Sequence, residues 1–327
     1  SGDPAGAAEA LGPVPVAAPL AADHAYWRAE IAAARRDLGA AQGALAPARA
    51  SSPTRMGLIL TGARVAFLGG DAAAATGDLH QFRALKVAQL GHDPGDDLRD
   101  RIVRDALDGA EDSPARCARR FAQATPAFRP DSGPPIPPRI AHYWEGPRSA
   151  PLDRSLRAWA GQFPQTLYDA TSARAWLDRH APELGAAFDR LTQPAARADL
   201  FRVALIAQEG GLFADLDEFP RAPVADWLTG AAALLVIEEG HGTIANNFLA
   251  ARPGMPLFSR LARRIADTLA RVQAPYPWWD TGPAPLTAEA FADRDTPGLR
   301  FLTQPEYETR VATNLPFPHK RSPDHWR

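Results

Sequence analysis

The chain has 327 residues, a formal net charge of −2 and a pI near 6.4, enough length for one large domain or one domain with an appendage. That charge balance excludes a broad nucleic-acid or membrane-surface footprint, and a lone cysteine, Cys117, excludes a disulfide framework and cysteine-rich zinc modules. No apolar run approaches a membrane span, so the expectation is a soluble, cytoplasmic protein with no membrane span and no nucleic-acid partner.

Residues 1–22 are rich in Ala and Pro and are expected to be disordered. They lack the basic start of a signal peptide. Residues 23–125 are rich in Ala, Arg and Asp at helical spacing, with Asp23, Ser52, Asp78 and Ser113 as candidate N-caps. Nothing in this helical region clusters chemically; His80 and His92 stand alone. Six prolines between 126 and 138 forbid sustained helix or strand and mark a linker. The remaining 139–327 form the last expected domain.

Here the texture changes. The spacing predicts a strand in "RIAHYW" (139–144), a helix in "PLDRSLRAWAGQF" and a strand in "QTLYDA". Two short helices follow, and then a long one begins at Pro194 and stops at Gly210–Gly211. "GLFADLD" reads as the next strand, "AALLVIEE" as a buried strand and "GMPLFSRLARRIADTLARV" as a helix. Strands alternating with helices imply an α/β domain with a mostly parallel sheet. Ligands of such sheets bind at the carboxyl ends of the strands, where Asp215 and Asp217 fall. Two carboxylates on one side of an extended segment repel unless a cation lies between them. On the preceding helix Asp199 and Arg202, three apart, share a face, either as a surface ion pair or as part of the same crevice.

Together, "IPPRIAHYWEG", "RADLFR", "GGLFADLDEF" and "NNFLAARPGMPLF" resemble the DXD-containing glycosyltransferases of GT-A fold. Capsular and mannosyl transferases and the glucosylating domains of clostridial toxins belong to this group. The resemblance spans residues 136–327. It implies a Rossmann-like, mixed but mostly parallel sheet flanked by helices, with the N-terminal helical region outside it. It also implies an enzyme that moves a hexosyl group from a UDP- or GDP-sugar to a hydroxyl, with retention. The acceptor is left open among a peptide or protein, a small molecule and a glycan.

The resemblance implies a Mn²⁺ or Mg²⁺ cofactor bound by Asp217 directly and by Asp215 through water or the donor ribose. Trp144 is implied to stack on the nucleotide base, with His142 and Phe213 beside the donor. Phe213 departs from the tyrosine usual at its position, which loosens any inference about the sugar. Asp199 and Arg202 would hold the sugar and phosphates, and Asn246 or Asn247 would lie near the reaction centre, turn chemistry being the alternative. In the tail, His319 is matched to a metal ligand and Ser322 and Trp326 to nucleotide contacts, with His325 competing. Trp278, Trp279 and Asp280, before a Thr-Gly-Pro, and Glu238 are candidates for the acceptor side. Glu218, where many relatives are apolar, is either a group behind the site or without a role. A nucleotide hydrolase or nucleotidyltransferase, and a nucleotide-sugar-binding protein without turnover, are the rival readings. The composition suggests a GC-rich bacterial source.

Overall fold

The computed structural model describes residues 4–12, 18–91, 101–102, 105–106, 109–239, 242–313, 315 and 317. By contacts it divides into a helical unit, residues 1–124 with 238–243, and an α/β unit, residues 125–237 with 244–327.

The helical unit is built from α1 (Pro4–Leu11), α2 (Ala18–Ala34), α3 (Leu38–Ser51), α4 (Met56–Gly69), α5 (Ala72–Leu90) and α6 (Pro114–Gln123). Its Ala-rich sequence costs little side-chain entropy in a helix. The same small side chains give a core in which Ala29, Ala33, Ala41 and Ala48 pack on Leu45, Leu58 and Val65. Within 1–22, expected to be disordered, residues 4–11 and 18–22 are helical. The caps also differ from those expected. Asp37 and Asp71 accept from the Ala40 and Ala74 N–H groups, both at 2.9 Å. Asp23 and Asp78 lie inside helices, Ser52 ends one, and Ser113 precedes α6 without a side-chain cap bond. Asp78 instead pairs with Arg49.

The α/β unit carries β1 (Ile140–Tyr143), α7 (Ala150–Ala160), β2 (Gln165–Tyr168), α8 (Ala170–His180), α9 (Gly185–Arg190), α10 (Pro194–Glu209) and β3 (Gly211–Ala214). Then come β4 (Phe219–Pro220), β5 (Ala233–Ile237), β6 (Ile244–Ala251), α11 (Pro256–Arg271), α12 (Pro283–Ala292), β7 (Leu299–Thr303), α13 (Gln304–Glu308) and β8 (Val311–Ala312). The main sheet runs β2-β1-β3-β6-β5-β7. Its pairings are parallel except where β6 lies antiparallel between β3 and β5. A separate antiparallel pair joins β4 to β8. The fold is thus a mixed α/β sheet flanked by helices.

Trp159, stacked on Phe248 at 6.0 Å, anchors the core on one face with Leu212, Leu234, Trp227 and Tyr307. Buried Leu200, Phe201, Val203 and Ala204 line α10. Gly210 and Gly211 adopt φ of +63° and +100°. A Cβ on Gly210 would come within 2.5 Å of the Pro253 nitrogen, so the helix-to-strand turn accepts glycine alone. The proline-rich 126–138, expected as a linker, belongs to this unit. Ile136 is buried in its core, the Arg129 carbonyl accepts from Gly298 N–H, and Asp131 pairs with Arg252. Prolines forbid regular hydrogen bonding but not packing.

Candidate active site

The DXD segment leaves the sheet sooner than its apolar run suggests. Strand β3 stops at Ala214, and Asp215–Glu218 is a turn in which Glu218 N–H donates to the Asp215 carbonyl at 3.1 Å. Burial still alternates through it. Asp215 and Asp217 are half-buried, while Leu216 between them is buried against Leu152, Leu156 and Phe317. Two main-chain bonds fix the turn: Asp215 N–H to the Asn247 carbonyl (2.8 Å) and Leu315 N–H to the Asp217 carbonyl (2.9 Å).

Asp199 and Arg202 do not form a surface pair. Their side chains are 5 % and 3 % exposed. Arg202 donates from Nη2 to Asp215 Oδ1 at 2.9 Å and from Nη1 to the Asn246 carbonyl, and its guanidinium lies 4.9 Å from the Phe213 ring centre. Asp199 accepts from Asn246 Nδ2 (2.7 Å) on one oxygen and from Thr281 Oγ1 (2.8 Å) on the other. One guanidinium thus ties α10 to the DXD turn, and one carboxylate ties α10 to β6 and to the Tyr276–Gly282 segment. Gly282 passes so close that an added Cβ would lie about 3 Å from Asn246 Nδ2 and Asp199 Oδ2.

Electrostatics follow from this crowding. Burial lifts the Asp199 carboxyl to about 6, against the opposing pull of Arg202, Thr281 and Asn246. Asp215 is raised as well, by burial first, with Arg202 opposing and Asp217 and Asp199 adding repulsion. A cation beside the turn would relieve that repulsion.

The other candidates separate by position. Asn246 and Asn247 lie in β6, not in a turn, with both side chains half-buried. Trp144 follows β1, half-buried, with its indole N–H on the Gly146 carbonyl (2.9 Å) and its ring edge-on to Phe317 at 6.0 Å. His142 is fully buried and its Nδ1 bonds the Ala214 carbonyl at 2.7 Å, so it links β1 to β3. Phe213 is likewise fully buried, as the platform under Arg202. Trp278 and Trp279 stack at 6.1 Å in a single π-helical turn, Pro277–Thr281, that Asp280 closes by accepting from Tyr276 N–H at 2.6 Å. Glu238 sits in the 238–243 loop of the helical unit, where it accepts from Thr243 and burial raises its pKa. His319, Ser322, His325, Trp326 and, in the helical region, His92 lie outside the described residues.

Three participants went unnamed in the sequence reading or were given no role. Thr281 completes the Asp199 shell. Glu218 is fully buried behind the turn, and Tyr307 donates to it at 3.0 Å. The Thr-Gly-Pro signature pointed towards Thr281; no local pattern marks Tyr307.

The site is an acidic turn beyond a strand end of an α/β sheet, braced by a buried Asp–Arg helix pair. Residues 150–233 match the family described as "Glycosyltransferase sugar-binding region containing DXD motif", a match that includes α7, α10 and the turn itself. The chain thus carries a DXD-containing glycosyltransferase region over those residues. Among solved structures, a chain described as "PaToxG Glycosyltransferase" is 12 % identical, with 55 % of this chain and 73 % of that one covered at a TM-score of 0.41. No curated protein matches significantly. Among the described residues no helix is long and apolar enough to cross a membrane, and no three His, Cys, Asp or Glu side chains form a metal cluster.

Proposed function

We propose that this site transfers a hexosyl group from a UDP- or GDP-sugar to a hydroxyl acceptor, with a divalent cation, Mn²⁺ or Mg²⁺, bound at the Asp215–Asp217 turn. The observation that carries the reading is the buried Arg202, which touches Asp215 while paired with Asp199. A structural ion pair has no need to reach a half-exposed acidic turn. Two half-buried carboxylates on one turn, with Asp215 raised by burial, suit a hard cation that keeps positions for substrate phosphates. When bound, such a cation stabilises the charge of a diphosphate leaving group.

The chain's own residues supply the rest. Asp217 and Asp215 hold the ligand end of the turn. Arg202, with its planar fork set by Asp215 and the Asn246 carbonyl, adds positive charge where phosphate oxygens would lie. Asp199 orients Arg202 and the Asn246 amide beside the sugar. Trp144 offers a partly open ring face to a base, and Trp278 and Trp279 form an apolar wall for the acceptor. No second carboxylate is placed as a covalent nucleophile among the described residues. The family resemblance implies retention of the anomeric configuration, which without such a nucleophile would come by attack on the face from which the diphosphate departs; anomeric analysis showing inversion would overturn that step.

The test is hydrolysis and transfer with a panel of UDP- and GDP-sugars, with and without Mn²⁺, followed by mass spectrometry. Asp217→Asn is expected to lower kcat/KM about 10²- to 10³-fold, the range for removing one preorganised electrostatic partner. Turnover of nucleotide without a sugar would establish a hydrolase instead.

A further inference from the structure

We propose that Glu218, the residue after the second aspartate, is a positioning residue that sets the DXD turn and the Asn247 amide for cation and donor binding; this rests on the cation site proposed above. Glu218 is fully buried. A carboxylate taken from water is costly unless its oxygens are met by hydrogen bonds. Oε1 accepts from Asn247 Nδ2 at 2.9 Å and Oε2 from the Tyr307 hydroxyl at 3.0 Å. Its carbonyl accepts from Trp159 Nε1 at 2.8 Å and from Ser155 Oγ at 3.3 Å. Helix α7, strand β6 and helix α13 therefore all hold this one residue.

The arrangement closes a ring. Asn247 gives its amide N–H to Glu218 and receives the Asp215 N–H on its main-chain carbonyl. Both ends of the Asp215–Glu218 turn are thus fixed to one residue of β6. A carboxylate only accepts hydrogen bonds, so Glu218 also dictates which end of the Asn247 amide faces it. The amide oxygen, Asn247 Oδ1, is left buried with no hydrogen-bond partner. A buried acceptor of that kind suits a ligand hydroxyl, the group that a sugar presents. An apolar residue at 218 would pack the core as well, but would free the Asn247 amide and remove the side-chain tie between the turn and β6.

The experiment uses the full chain and titrates Mn²⁺ alone and with UDP, reading free Mn²⁺ by electron paramagnetic resonance. Glu218→Met is expected to raise the Mn²⁺ Kd about 10- to 100-fold, as loss of an outer partner of a metal ligand does. Glu218→Gln can still accept from Asn247 while donating to the Tyr307 oxygen, and is expected to restore most of the affinity. If Glu218→Met fails to fold because Tyr307 is left unpaired, the double variant Glu218→Met/Tyr307→Phe removes that burden and should show the same loss. A folded Met variant with wild-type Mn²⁺ affinity overturns the proposal. If the wild type itself binds no Mn²⁺ with or without UDP, the cation reading fails, and hydrogen exchange of peptide 211–220 decides the role of Glu218. Faster exchange there in the Met variants, restored by Gln, supports it; unchanged exchange overturns it.

Discussion

In the helical unit, Arg49 and Asp78 pair with 33 % and 13 % of their side chains exposed, whereas in the α/β unit Arg202 and Asp199 pair at 3 % and 5 %. The first pair keeps part of its hydration and joins α3 to α5. The second has given up its water and is held by Asp215, Asn246, Thr281 and a ring face. A partly exposed pair contributes little because solvent screens it. A buried one stabilises only if every partner is present, and losing one leaves an uncompensated charge. The two units thus bury charge for different ends: one decorates an alanine core, and the other fixes polar groups around a turn.

That difference yields the largest expected effect. Arg202→Leu should destabilise the α/β unit by about 3–5 kcal/mol through the stranded Asp199 and Asp215. Arg49→Ala should cost the helical unit less than about 1 kcal/mol. Urea unfolding separates the two, since Trp27 is the one tryptophan in residues 1–124. Tryptophan fluorescence therefore reports mainly the α/β unit, and far-UV circular dichroism reports both. Equal losses in the two variants would break the contrast.

The same contrast explains what the sequence showed and what it hid. The α10 helix, its Gly210–Gly211 stop and the acidic pair were legible because each is local: Pro at the first turn, a left-handed glycine at the exit, carboxylates after an apolar run. Strand β6 was not, because Asn246 and Asn247 are poor strand formers. They are held extended by pairing to β3 on one side and β5 on the other, a tertiary effect. The contacts that complete the site span still longer stretches. Thr281 meets Asp199 across 82 residues and Tyr307 meets Glu218 across 89. No periodicity encodes such a meeting, so Glu218 read as an oddity until the fold gave it partners.

Protonation offers a second way to sharpen the comparison. His142 is held neutral by burial, which lowers its pKa from 6.5 to about 4, against the raising effect of its bond to Ala214. A depressed folded-state value means that the unfolded chain takes up the proton first. The stabilising contribution is therefore complete above pH 6.5 and is lost as pH falls towards 4. Between pH 7.5 and 5 the loss should be about 2 kcal/mol. His142→Asn, whose amide can replace the Nδ1–H donor, should flatten that slope in urea midpoints read by fluorescence. An unchanged slope would show that the α/β unit's acid sensitivity lies elsewhere.

The smallest effect concerns two aspartates of the helical unit: Asp78, expected as an N-cap, lies inside α5, and Asp71 caps that helix. Asp71 follows Gly70, the left-handed end of α4, and its carboxylate takes the Ala74 N–H in the first turn of α5. Asp71→Ala should cost about 1 kcal/mol, the usual value of an N-cap. Asp78→Ala removes a partly screened pair but places alanine, the best helix former, in the middle of α5. The two terms oppose each other, and the net change should be within about 0.5 kcal/mol. Denaturation followed by far-UV circular dichroism should therefore rank Asp71→Ala as the more damaging. The reverse order would mean that the Arg49–Asp78 pair behaves like the buried Arg202–Asp199 pair, and that exposure alone does not separate the two units.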